Sequence, residues 1–156
     1  MSRFAGLKAD IDHELKNLER LDRTLQDVLR KASSDVTEIE TRAAGSLLHD
    51  FYTGLERIFQ RIAVKIDQDL PSGEDWHRQL LQRMSIPLEG VRPAVITQKQ
   101  AEHLEAYMGF RHVFRNIYGF ELRWRRIEPL AENLGDLYRS LEGQLAEFKG
   151  FLDSLG

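Results

Sequence analysis

Leu104-Glu-Ala-Tyr-Met-Gly-Phe-Arg-His-Val-Phe-Arg-Asn-Ile-Tyr-Gly-Phe-Glu-Leu-Arg-Trp-Arg-Arg126 is the stretch on which the reading of the whole chain turns. It holds Arg111, Arg115, Arg123, Arg125 and Arg126, together with His112 and a run of aromatics, and its second half contains a single acid, Glu121. The whole chain has a formal net charge of −3. The positive charge is therefore a local patch on an otherwise mildly acidic protein, and any contact with a nucleic acid must come from that patch. With 100° per residue, Arg111 and Tyr118 fall within about 20° of each other on a helix, and Arg115 lies one turn after Arg111. His112 and Asn116, four apart, share the neighbouring face. One side of the predicted helix thus presents two guanidiniums, a phenol, an imidazole and a carboxamide. Guanidinium donors match phosphate oxygens in plane and stay charged at any working pH. Phenol and imidazole can stack on unpaired bases or carry protons. The plain alternative is a solvated helix face whose arginines pair with nearby acids.

Working outward, the rest of the chain reads as helix. Phe4, Leu7, Ile11, Leu15, Leu18, Leu21, Leu25 and Val28 recur at steps of three and four, which predicts a long helix over 3–31. Its apolar stripe must be buried within a bundle, in part against a second subunit on the sharper reading. Ser33-Ser34-Asp35 supplies a break and N-cap candidates, with Glu38 three residues after Asp35. A second helix then spans about 35–69 along Val36, Ile39, Ala43, Leu47, Phe51, Leu55, Ile58, Ile62 and Ile66. A short link between two long helices makes them antiparallel neighbours. Residues 70–75 form a turn whose Asp75 can cap a short helix over 76–84, and 85–97, with two prolines and a glycine, reads as a loop lying on the body. Thr97 and Gln100 form a capping box that opens a helix running to about Phe120. Pro129 suits the first turn of a final helix, kinked or broken near Gly135 and continuing through Leu152. The expected architecture is all-α, one domain over 1–156: a four- to five-helix up-and-down bundle with long N-terminal helices.

The totals agree with this. A chain of 156 residues suffices for one core, and 30% charged residues are ordinary for a soluble domain. No apolar run approaches the ~20 residues that span a bilayer, so no membrane is expected. The first ten residues lack a signal-peptide core, and the expected location is the cytoplasm. There is no cysteine, which excludes disulfides and thiolate zinc sites. His13, His77 and His103 have no partner at metal-ligand spacing and read as surface residues, so no metal is expected. Without a phosphate-binding glycine loop the chain is expected to bind no nucleotide cofactor. Trp76 and Trp124 read as core or interface aromatics.

Arg111-His112-Val-Phe-Arg115-Asn116-Ile-Tyr118 resembles the signature of the HepT-like branch of the HEPN superfamily: an arginine and a polar residue, then a histidine four to six positions on, a spacer and a tyrosine. The segment Leu48-His49-Asp50-Phe51-Tyr52-Thr53-Gly54-Leu55-Glu56-Arg57-Ile58-Phe59 and the flanking Tyr-Gly-Phe-Glu-Leu are also similar to this group, over roughly 40–153. The resemblance implies a HEPN-like helical homodimer whose motif helices meet in a composite cleft and cleave RNA without a metal. It also implies a toxin–antitoxin pair in which an MntA-type nucleotidyltransferase adds AMP to the motif tyrosine and silences the nuclease. Position by position, Arg111 matches the motif arginine, His112 its polar follower and Tyr118 the AMPylated tyrosine. Asn116 stands where the motif has histidine, and a carboxamide does not titrate near neutrality.

The expected catalytic residues are therefore Arg111, His112 and Asn116, with Arg111 and Arg115 on RNA phosphate. Tyr118 is the regulatory tyrosine, and Asp50, Tyr52 and Glu56 are candidate cleft-lining residues whose plainer role is hydrogen bonding in the bundle. The leading reading is a HepT-like ribonuclease toxin in which His112 transfers protons. The second is a helical adaptor that binds a nucleotidyltransferase, RNA or both without cutting. A bundle for protein assembly alone is the third.

Overall fold

The computed structural model describes residues 3–32 and 35–156. The chain is an all-α bundle of α1 (Ala5–Lys31), α2 (Glu38–Ile62), α3 (Trp76–Met84), α4 (Gln98–Asn116) and α5 (Trp124–Ser154). A π-helical turn (Ala63–Asp67) extends α2, and a 3-10 turn (Gly119–Glu121) joins α4 to α5. No strand occurs among the described residues. The helix α2 is the centre, touching each of the other four helices.

Helix directions follow from the pairs that meet. Arg61 of α2 bonds Asp10 of α1, while Gly54 faces Leu18, so α1 and α2 run antiparallel as the short link predicts. A Cβ at Gly54 would lie 2.9 Å from a Leu18 methyl, which is why the two helices approach closely there. Lys8 meets Asp153 at 2.5 Å, Lys149 meets Asp12, and the Tyr138 hydroxyl donates to the Leu15 carbonyl at 3.2 Å; α5 is therefore antiparallel to α1. The stripe of α1 from Leu7 through Ile11, Leu15 and Leu18 to Leu25 is buried within this one chain. Phe4, Leu21 and Val28 of the same stripe are half-buried.

Several boundaries differ from expectation, each for a local reason. Ser33 and Ser34 lie outside the described residues; α2 is capped by Thr37, not by Asp35. Thr37 Oγ1 accepts from the Glu40 amide at 3.1 Å and Glu40 Oε1 from the Thr37 amide at 3.0 Å, so the i to i+3 box closes two residues later than expected. The regular helix stops at Ile62 instead of 69, widens by one π turn, and ends where Gln68 turns left-handed at φ 56°. That widened turn carries Asp67 inward to Arg92, and the pair is 1% and 0% exposed. Arg92 Nε and Nη2 donate to the two Asp67 oxygens at 2.6 and 3.0 Å, and its remaining donors serve the carbonyls of Ile86, Pro93 and Arg83. One arginine thus ties down the 85–97 loop, which lies on the body with Val95 and Ile96 buried.

The Thr97–Gln100 box is present, but α4 ends at Asn116 and not near Phe120. Ile117 is extended at φ −128°, ψ 160°. The final helix begins at Trp124, five residues before Pro129, which sits inside it. The missing proline N–H leaves one carbonyl without a helical donor, that of exposed Arg125 near the helix start, where water can serve it. Trp124 Nε1 closes the same turn by donating to Glu128 at 2.7 Å. The expected break at Gly135 does not occur. An interior glycine costs about 1 kcal/mol relative to alanine, and burial of Leu134, Leu137, Tyr138 and Leu141 around it outweighs that.

Candidate functional site

Antiparallel packing of α4 on α2 brings Arg111 to Glu56 and Arg115 to His49. Arg111 does not face solvent, as the helical projection suggested. It is 3% exposed, and its Nη1 and Nη2 donate to Glu56 Oε1 and Oε2, both at 3.0 Å. A third contact runs from Nη1 to Thr53 Oγ1 at 3.5 Å. The guanidinium carbon lies 4.8 Å from the Tyr52 ring centroid, so the cation also rests on an aromatic face. Tyr52 is buried, and burial, reinforced by the Glu56 charge, pushes its phenol far above the usual tyrosine range. Tyr52 is therefore a neutral floor under the arginine.

His77, read from sequence as a surface residue, belongs to this network. It opens the second position of α3, its side chain is 32% exposed, and Trp76 packs on its ring. Its Nδ1 lies 2.7 Å from Glu56 Oε2 and 2.9 Å from Arg111 Nη2. Glu56, Arg111 and His77 come from α2, α4 and α3, so three helices are tied at one point. No local signal marks this: the partners lie 21 and 34 positions from His77. A helical wheel of any single element cannot show it.

The remaining motif residues are distributed as follows. His112 and Arg115 are exposed on α4. Arg115 Nε donates to His49 Nε2 at 3.3 Å; its terminal amino groups have no partner among the described residues. Asn116 Nδ2 donates to the His112 carbonyl at 2.7 Å, a bond back along its own helix. Because α4 has ended, Tyr118 does not share a helix face with Arg111. It sits in extended backbone at φ −72°, ψ 147°, 71% exposed, stacked on Phe120 with centroids 5.3 Å apart. Asp50 is exposed and bonds His49 next to it, away from Glu56.

A surface pocket of about 340 Å³ opens over the network. Arg111, His112 and Arg115 of α4 form one wall, and His77 and Arg78 of α3 face them. Glu74 and Asp75 also line it, and Asp75 lies 3.7 Å from Arg78. Asn116, Tyr118 and Asp50 do not line it. Arg111 is neutralised by Glu56, so the free positive charge of the pocket comes mainly from Arg115, with Arg78 partly spent on Asp75 and on Glu105 at 3.8 Å. Chemically the pocket offers two imidazoles beside guanidinium donors, a set suited to an anion whose neighbouring groups exchange protons. Among the described residues no group of three or more histidines and carboxylates could hold a metal ion, and no helix is long and apolar enough to cross a membrane.

A family model described as "HepT-like protein" matches residues 43–152, from the first turns of α2 almost to the end of α5. Neither a curated protein nor a solved structure matches the chain.

Proposed function

As the chain belongs to the HepT-like family, we propose that it is the toxin-side subunit of a HepT/MntA-type pair, an endoribonuclease that needs no metal of its own. The observation that carries this reading is the pocket in which Arg111, His112 and Arg115 of the motif helix stand together. Arg115 holds the RNA phosphate from solvent. Arg111 acts from beneath, as a buried cation whose charge is offset by Glu56 and whose position fixes the wall. His112 serves proton transfer. The partner subunit is a second copy of the chain, and the controlling partner is a cytoplasmic nucleotidyltransferase that adds AMP to Tyr118. Its phenol stands clear of the bundle, which supports that assignment.

Two observations favour the second reading, a binding subunit that does not cut. The motif arginine is fully engaged with an acid of its own chain, and the Asn116 carboxamide is spent on a helix carbonyl. Purified protein incubated with labelled RNA, beside an Asn116→His variant, separates the two. Cleavage by the parent removes the adaptor reading. An inert parent beside an active variant removes the enzyme reading, leaving a subunit that binds RNA in a salt-dependent manner.

A further inference from the structure

The motif position that should carry an imidazole holds Asn116, whose side chain is absent from the pocket. An imidazole from a different helix is present there. We infer that His77 is the catalytic base of this site, oriented by Glu56 and acting with His112 across the pocket; the inference rests on the ribonuclease reading above.

The geometry has the features of an oriented base. Nδ1 lies 2.7 Å from the Glu56 carboxylate and 2.9 Å from the Arg111 Nη2 donor, and it can serve only one of them; the proposed role takes the tautomer in which Nδ1–H donates to Glu56, which puts the lone pair on Nε2. Glu56 is itself fixed by the two Arg111 bonds, which leaves it no freedom to rotate away. Nε2 makes no hydrogen bond among the described residues, and the ring lines the pocket. This arrangement of an acid behind an imidazole, with the far nitrogen open, holds one tautomer and stabilises the imidazolium that forms. His112 stands on the opposing element with its ring exposed.

The reaction then balances. Nε2 of His77 takes the proton of an RNA 2′-hydroxyl as the 2′-oxygen bonds to phosphorus. The bond from phosphorus to the 5′-oxygen breaks, and protonated His112 gives its proton to that leaving oxygen. The products are a 2′,3′-cyclic phosphate and a 5′-hydroxyl, with Arg115 next to the charged oxygens. Titratable and charged groups around the His77 ring are Glu56 from α2, Arg111, His112 and Arg115 from α4, Glu74 and Asp75 just before α3, and Arg78 in its first turn.

The test is His77→Asn and His77→Gly against the parent, on a short labelled RNA in the full-length protein. Asparagine can keep a donor near the Nδ1 position for Glu56 while removing Nε2. General base removal lowers kcat by about 10²–10⁴-fold, with RNA affinity held within a factor of about three. The parent's acidic limb in the pH–rate profile should vanish in His77→Asn, and free imidazole should restore part of the rate to His77→Gly. A His77→Asn protein that cleaves like the parent overturns the role of His77 while the ribonuclease reading stands. A parent that binds RNA without cutting overturns both. Equal melting temperatures of parent and His77→Asn confirm that a lost rate is chemical, and a variant that melts early with an unrescued rate overturns the inference.

Discussion

Replacing Arg111 by methionine should first of all be a stability experiment. The side chain is buried and makes two 3.0 Å bonds to a buried carboxylate, a bond to Thr53, a contact to His77 and a stack on Tyr52. Removing one member of a buried ion pair leaves the other charge uncompensated, at a cost of about 3–5 kcal/mol. A domain of this size is stable by about 5–15 kcal/mol, so a large share is lost. At about 2–4 °C per kcal/mol, the melting temperature should fall by roughly 6–20 °C. Glu56→Met should cost a similar amount, since it strands Arg111. The double variant should recover most of it, because an apolar pair of similar volume replaces a buried ion pair at little or no cost. Urea melts of the four proteins, followed by helical circular dichroism, give the coupling directly. Strictly additive losses, or a single-variant loss below about 1 kcal/mol, would falsify the view that this pair is a structural tie. The same numbers bear on function: growth inhibition lost in Arg111→Ala is expected, but it is evidence of chemistry only if the variant stays folded.

Asp67→Ala should cost about 3–5 kcal/mol by stranding Arg92, with hydrogen exchange across 85–97 rising first. Gly54→Ala should destabilise by about 1–3 kcal/mol through the Leu18 methyl, seen as a lower urea midpoint at unchanged slope, whereas Gly109→Ala, which meets open space, should not. Burial raises the folded pKa of the Tyr52, Tyr107 and Tyr138 phenols. Their contribution to stability is present below the unfolded tyrosine value of about 10 and is lost as pH rises past it; phenolate absorbance from these residues should therefore appear together with loss of helicity. If they titrate while the helices persist, the phenols are less enclosed than they stand here.

Helix existence was legible in the sequence because stripe and cap are both local. The steps from Leu7 to Leu25 and the Thr97–Gln100 box needed no tertiary information. What escaped was decided at a distance. Ending α4 at Asn116 and starting α5 at Trp124 reflects the Gly119–Glu121 turn: Glu121 accepts from the Tyr118 amide, and Gly119 lies under the Arg42 guanidinium. Arg92 and His77 showed no pattern because their partners Asp67 and Glu56 belong to other elements. The basic stretch stands out in the sequence, yet its most prominent member, Arg111, turns inward. Spacing gives the angle around a helix axis, but which angle meets a neighbour depends on the acid that α2 presents.

The early end of α4 also bears on how another enzyme would handle the chain. A phenol within a rod of helix can enter a deep catalytic slot only if the rod unwinds, since neighbouring turns collide with the slot's rim. Tyr118 instead hangs on a short length of unwound chain between two helix ends, held by little more than Glu121 and its stack on Phe120. A transferase approaching from solution could therefore draw in the hydroxyl by peeling apart two rings, leaving every helix of the bundle intact.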